Sequence, residues 1–397
     1  MRSLRSVGPM ALPLLLSLAA ALPASSAAGL PANYSAWMAT SIMARNQGVL
    51  GGPGDASQLL QAGFTQKAFN QFLSAYPSSA IADSVTTYIA RSVESVTSVL
   101  ANASHDTAYP LDRLSSGNAL LRAYTETSNA SYGDALTALR DSVDLQPKNA
   151  EGGLWYYTYP DWSYLDGMYS YAPFSAAYAV QYDTDALRHA VQNVTHQLDL
   201  LWEHCYNATT GLLVHGLGWY AMALVDTLEL LQGPLVDADA WHHLHGRFVE
   251  LASAVARAAD PATGGWWQVL DAPGREGNYI ESSGSSMFVY ALLKGVRVGY
   301  LERGFEAMKG DDTTGSIANA SYVDVASRAY EYIADTFVVD NGNGTLGYNG
   351  TVSVCSLNST ASYEYYVGQS ILYNSVLGSA AFVLASLEYE RTVFVSL

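Results

Sequence analysis

Beyond an apolar opening stretch, hydrophobic residues along most of the chain fall three and four apart, the spacing that lines one face of an α-helix. Leu224, Leu228 and Leu231 form one such stripe, and Gly233-Pro234 ends it. Leu244, Phe248, Leu251 and Val255 form the next, and Ala326, Ala329, Ile333 and Phe337 another. Segments of this kind number about a dozen, or roughly six helical pairs.

A second pattern sits between the stripes: glycine followed by a few aromatic or β-branched residues. It reads Gly152-Gly153-Leu154-Trp155-Tyr156, then Gly211-Leu212-Leu213-Val214, then Gly264-Gly265-Trp266-Trp267-Gln268, and more weakly Gly344-Thr345-Leu346-Gly347-Tyr348. The first three recur roughly every 55 positions, about one helical hairpin with its loops. The expectation is that each glycine ends a helix in a left-handed conformation and that a short strand then crosses the mouth of the fold. Hairpins that close on themselves make an all-α toroid, an (α/α)6 barrel of about six helical hairpins with short strands gathered at one face, where a pocket forms. No Pro-, Ser- or Gly-rich linker divides the chain. The loop Gly51-Gly52-Pro53-Gly54 lacks the Lys-Ser/Thr of a phosphate loop.

Composition narrows the partners. The 397 residues carry 36 acidic and 19 basic side chains, a net charge of −17. Such a surface repels nucleic acid and anionic membranes, and hydrophobic residues at 49% suffice for a large core. Residues 1–28 have the layout of a secretory signal: Arg2 and Arg5, an apolar run at 10–22 too short to span a bilayer, then small residues at 24–28. Residues 29–397 are expected to form a single catalytic domain in a secreted, extracellular protein. Asn-x-Ser/Thr sites at Asn33, Asn102, Asn129, Asn193, Asn207, Asn319, Asn343, Asn349 and Asn358 agree with export and glycosylation. Cys205 and Cys355 allow either one disulfide or two buried thiols.

Candidate chemistry concentrates at residues 154–171. Trp155, Tyr156, Tyr157, Trp162, Tyr164, Tyr169 and Tyr171 crowd around one carboxyl group, Asp166. Aromatic faces stack on sugar rings, and a carboxyl desolvated among rings has a raised pKa suited to a general acid. The plain alternative is that Asp166 caps a helix starting near Gly167. Trp241-His242-His243-Leu244-His245 lacks the carboxylate partner and spacing of a metal site, no Gly-x-Ser-x-Gly elbow is present, and no cofactor is expected.

The segment Tyr164-Leu165-Asp166-Gly167-Met168-Tyr169, followed by Ala172-Pro173-Phe174, resembles the signature of glycoside hydrolase family 105, the unsaturated rhamnogalacturonyl and related uronyl hydrolases. Pro110-Leu111-Asp112 with Ser116-Gly117 resembles that family's second aspartate loop. Leu213-Val214-His215-Gly216 with Gly218-Trp219 resembles its pocket loop, and Glu281-Ser282-Ser283-Gly284 and Gly378-Ser379-Ala380 its late helices. The likeness covers most of the chain after residue 28 and looks closest to a secreted fungal-type branch. It implies an (α/α)6 barrel and hydration of a carbon–carbon double bond. Asp166 donates a proton to C4 of a 4,5-unsaturated uronic acid at the non-reducing end of a lyase-generated oligosaccharide, and water adds at C5. Asp112 orients the ring or stabilises charge, where a loop cap is the alternative. Tyr164 offers a platform, His215 a hydrogen bond and Trp219 a stacking face, where an ordinary loop histidine and a core tryptophan are the alternatives.

The sequence departs from this family at one place. Relatives carry a longer loop between the His-Gly and the Gly-Trp, with an Arg suited to the substrate carboxylate. Here Gly216 passes through Leu217 straight to Gly218. A catalytically impaired sugar-binding relative is therefore the competing expectation.

Overall fold

The computed structural model describes residues 33–52, 54, 57–158, 161–213, 216–232, 236–302, 320–356 and 361–394. The leader read at 1–28, His215, Asn319 and Asn358 lie outside them.

The helices follow in order: α1 Tyr34–Ala44, α2 Gln58–Ala75, α3 Ala82–Thr97, a short α4 Ala103–Asp106, then a 3-10 turn at Leu111–Ser116. They continue with α5 Gly117–Thr127, α6 Ala130–Asp144, α7 Asp166–Tyr182, α8 Leu187–Cys205, α9 Leu217–Leu230 and α10 Ala238–Arg257. The last are α11 Ser282–Arg297, α12 Tyr322–Phe337, a short α13 Tyr363–Val367 and α14 Val376–Phe394. Helices α2, α5, α7, α9, α11 and α14 form an inner ring, with the 3-10 turn bridging α2 to α7, and α14 closes the ring against α2. Outer helices α3, α6, α8, α10 and α12 each pack on the inner helix before them, and α1 packs on α14. The expected (α/α)6 barrel is the observed fold.

The burial pattern explains the two rings. Leu244, Phe248, Leu251 and Val255 bury one face of outer helix α10, and Ala326, Ala329, Ile333 and Phe337 do so for α12. Inner α9 is buried on nearly every side from Leu217 to Leu228. Phe64, Phe69 and Phe72 of α2 are fully buried, each contributing roughly 1.5–3 kcal/mol. Gly117 at the start of α5 touches the Phe174 ring of α7, so a side chain there has no room.

Polar ties lock the ring. Glu390 of α14 accepts hydrogen bonds from the Ser35 N–H (3.0 Å), the Ser35 hydroxyl (2.6 Å) and the Tyr76 hydroxyl (2.9 Å), joining both chain ends. Inside the ring, Asp226 of α9 pairs with Lys67 of α2 and with Lys294 of α11 (2.7 Å) and accepts from Tyr290 (2.7 Å). Burial alone would raise the Asp226 carboxyl; Lys294 and Lys67 override it and hold the group at about 2.

Four two-stranded antiparallel sheets lie in the inter-helix loops: β1 Tyr157–Thr158 with β2 Asp161–Trp162, β3 Tyr206–Asn207 with β4 Leu212–Leu213, β5 Val338–Asp340 with β6 Leu346–Tyr348, and β7 Thr351–Val352 with β8 Ile371–Leu372. Two of the four expected glycine-led strands therefore form, as β4 and β6; the other two are reduced to single bridges, Lys148 to Leu154 and Trp267 to Ile280. The glycines themselves differ from expectation. Gly152, Gly211, Gly264 and Gly344 do have positive φ, but each lies six to eight residues beyond the preceding helix. They form tight turns in the loops and cap no helix, because the helices end earlier and an intervening segment runs out before the chain reverses. Cys205 and Cys355 are both free thiols, so the disulfide alternative is not the one realised. Among the described residues no helix is long and apolar enough to cross a membrane.

Candidate active site

A cavity of ≈ 320 Å³ opens at the N-terminal ends of α7, α9 and α11. Helix N-termini carry a partial positive charge, which favours negative charge in the space they enclose. Asp112, Tyr164, Asp166 and Trp219 all line it, together with Tyr156, Trp267, Glu281 and Cys355. Four of the five residues singled out from sequence therefore meet in one place, and the fifth, His215, is outside the described residues.

Asp166 is the first residue of α7, preceded by Leu165 at the N-cap with no side-chain capping bond. Asp166 therefore lies inside the helix as its first residue and does not occupy the cap position of the capping alternative. Burial pushes the Asp166 carboxyl up to about 6, with its own backbone N–H opposing. Gly216, in the left-handed region at φ 64, packs directly on this carboxylate, and a β-carbon there would collide with Oδ1.

Asp112 sits in the 3-10 turn, which is held by its neighbour Arg113. That guanidinium is fully buried and turned away from the cavity. It donates to the Ser142 hydroxyl (3.0 Å), the Tyr109 carbonyl (3.0 Å) and Gln146 Oε1 (2.7 Å), riveting the turn to α6. Asp112 makes no capping bond; its Oδ2 accepts from the Tyr156 hydroxyl at 2.5 Å. Burial pushes Asp112 up to about 7, the Tyr156 bond opposing and the Asp166 charge adding.

Two rings build the platform. Tyr164 packs on Tyr156 at 4.7 Å between centroids and leans toward Trp162 at 6.4 Å. Trp219, in the first turn of α9, contacts Phe64 at 4.9 Å and Tyr169 at 4.8 Å, so it serves the core and the cavity together. Sequence reasoning did not assign a role to Tyr156, Trp267 or Glu281. Trp266 and Trp267 are adjacent yet divide the work. Trp266 is buried and donates to the Val255 carbonyl at 2.7 Å, whereas the Trp267 N–H is buried with no partner among the described residues and its residue lines the cavity. The Gly-Gly-Trp-Trp repeat was the available signal. Glu281 is the N-cap of α11, accepting from the Gly284 N–H at 2.6 Å.

The charged lining residues are Asp112, Asp166, Asp271 and Glu281; among the described residues no Lys, Arg or His lines the cavity. Likewise no cluster of three or more metal-ligating side chains occurs among the described residues. His243 pairs with Asp199 at 2.8 Å and His245 with the Tyr300 carbonyl at 2.8 Å. What the arrangement offers is two carboxyl groups able to hold protons near neutral pH, flanked by aromatic faces. That combination is characteristic of a carbohydrate-active enzyme.

Comparison with known proteins agrees. The family model for Glycosyl Hydrolase Family 88 matches residues 60–217 and 216–310. The 24.9 kDa protein in picA locus of Rhizobium radiobacter is 30% identical over 222 residues, 54% of this chain and 87% of that protein. A solved glycoside hydrolase from family 105 of C. acetobutylicum ATCC 824 is 28% identical with a TM-score of 0.71, covering 90% of this chain and 99% of that one. An unsaturated glucuronyl hydrolase from Bacillus sp. GL1, described as responsible for the degradation of glycosaminoglycan, shares the fold at 12% identity and a TM-score of 0.57, over 86% of this chain and 88% of that one. The chain belongs to Glycosyl Hydrolase Family 88, and its likeness to the C. acetobutylicum enzyme bears out the family 105 resemblance. The two matched stretches meet at Gly216 and Leu217, the place where the sequence departs from the expected family pattern.

Proposed function

We propose that this glycoside hydrolase removes a 4,5-unsaturated uronic acid from the non-reducing end of lyase-generated oligosaccharides of the pectin or rhamnogalacturonan type. The supporting observation is the meeting of Asp112 and Asp166, both raised toward neutrality, in one aromatic-lined cavity of a family 88 barrel. In this reading Asp166 starts protonated and delivers its proton to C4 of the enol ether. Water adds at C5 and returns a proton to the Asp166 carboxylate, and the resulting hemiketal collapses to release the neighbouring sugar. The anomeric carbon is not attacked, so the separation of the two carboxyl groups sets no stereochemical outcome. Asp112 contacts the ring, Tyr164 and Trp219 pack against it, and His215 supplies a hydrogen bond from the pocket loop.

Export and glycosylation belong to the same proposal. Asn33, Asn102, Asn129, Asn193, Asn343 and Asn349 are all exposed, as an acceptor asparagine requires. A secretory leader at residues 1–28 and a catalytic domain at 29–397 complete it.

One observation favours a second reading, a sugar-binding relative with impaired catalysis. The family match breaks at Gly216, where the shortened loop lays its backbone against Asp166. Following the ultraviolet absorbance of an unsaturated rhamnogalacturonan disaccharide separates the two. Hydrolysis removes the absorbance, whereas binding without turnover leaves it constant.

A further inference from the structure

Asp112 has two unlike oxygens. Oδ2 accepts the Tyr156 hydroxyl at 2.5 Å, while Oδ1 is shut away from solvent and makes no hydrogen bond to any described residue. The side chain is only 5% exposed, yet the residue lines the cavity. Buried polar atoms are nearly always satisfied, and an orphan at a cavity points to a partner that arrives with the ligand.

Tyr156 is itself held from several directions. Its ring meets Tyr157 edge-on at 4.7 Å and Tyr164 at 4.7 Å. Its N–H donates to the Trp162 carbonyl at 2.6 Å, and its carbonyl accepts the Leu111 N–H at 3.0 Å. One residue, placed just before β1 and bonded to β2, thus links the segment that leads into Asp166 to the turn that carries Asp112. The described groups acting on Asp112 are Tyr156 and Tyr157, at the start of β1, and Asp166 and Tyr169 from α7. Among the described residues no cation acts on Asp112 beside the phenol.

We propose that Tyr156 is a positioning residue that fixes which oxygen of Asp112 carries the proton, so that Asp112 meets the sugar as a hydrogen-bond donor through Oδ1 rather than as a second base. This rests on the reading of Asp112 as a sugar-contacting residue. The chemistry is simple. An oxygen already accepting a phenol proton is the carbonyl-like one, and a neutral carboxyl then carries its hydrogen on the other. Burial keeps that neutral form populated at mildly acid pH.

The test is Tyr156→Phe. The phenol stabilises the ionised carboxyl, so its loss raises the pH at which Asp112 releases its proton, by about one unit. Infrared difference spectroscopy against Asp112→Asn reads that midpoint without turnover, and an unchanged or lower midpoint overturns the proposal. With unsaturated disaccharide as substrate, the second break on the alkaline limb of kcat/KM, the one set by Asp112, moves up by the same amount while the first, set by Asp166, stays. A second alkaline break that stays put while an acid limb moves identifies Asp112 as a base and also overturns it. Should the phenylalanine variant fail to fold, Asp112→Asn decides alone. Its amide keeps a donor, so binding of the saturated digalacturonate persists and no longer weakens with rising pH. Loss of that binding refutes the donor role. If wild-type protein leaves the absorbance constant, the proposed function fails, and the infrared midpoint still decides the role of Tyr156.

Discussion

Gly216 lies against Asp166 so closely that only a glycine fits between the loop backbone and the carboxylate. Its φ of 64 independently favours glycine. Gly216→Ala is therefore expected to displace the Asp166 carboxyl and to strain the start of α9. Stability should fall by about 1 kcal/mol or more, and turnover should fall further than stability explains. Steady-state kinetics beside a denaturant titration checks this. Full activity in the alanine variant would mean that the carboxylate tolerates a different position.

Proton release from Asp166 and Asp112 at about 6 and about 7 sets a pH dependence. Asp166 as acid and Asp112 as donor both work only while protonated, so kcat/KM should fall roughly tenfold per unit between about 6 and about 7 and roughly a hundredfold per unit above that. A pH–rate profile flat up to pH ~9 would remove Asp166 from the acid role.

The same burial should cost stability. Asp112 binds its proton more tightly in the folded chain, at about 7, than at the ordinary carboxylate value. A group raised in this way stabilises the fold most fully below the unfolded value of about 3.9, and that contribution is lost as pH rises toward 7. Asp112→Asn does not titrate. It should match wild type near pH ~4 and be more stable at pH ~8, by up to roughly 4 kcal/mol. Chemical denaturation at the two values measures it, and an equal difference at both would contradict the burial argument.

Asp226 presents the opposite case. It stays ionised because Lys67 and Lys294 flank it, and Lys294 is nearly inaccessible. Asp226→Asn leaves two ammonium groups inside the ring with the half-exposed Glu229 as the remaining acid. The expected loss is about 3–5 kcal/mol, read from urea unfolding, and the cavity chemistry is expected to survive in the folded fraction.

The ring of helices was legible because its outer members are amphipathic: the stripes on α10 and α12 mark the faces they bury. The inner helices gave a less selective signal: Leu224 and Leu228 mark a stripe on α9 that runs on to its C-cap Leu231, yet nearly every position from Leu217 to Leu228 is buried as well. Asp166, Tyr164 and Trp219 could be read as local motifs. The partnership of Asp112 with Tyr156 could not, because 44 positions separate them and only the closing of the ring brings them together. The turn glycines were misplaced for a related reason. Positive φ suits a helix cap and a loop turn equally well, and sequence does not say where the preceding helix stops. Trp266 and Trp267 look alike in the chain; only their hydrogen bonds tell the core residue from the cavity residue.

The central claim is that Asp166 protonates a carbon–carbon double bond in this cavity. Its most direct test is the ultraviolet absorbance of an unsaturated rhamnogalacturonan disaccharide mixed with wild-type protein and with Asp166→Asn. The account predicts loss of absorbance with wild type and a rate reduced at least ~100-fold in the variant, both proteins being equally folded. Equal loss of absorbance in the two, or no loss with wild type, would contradict it.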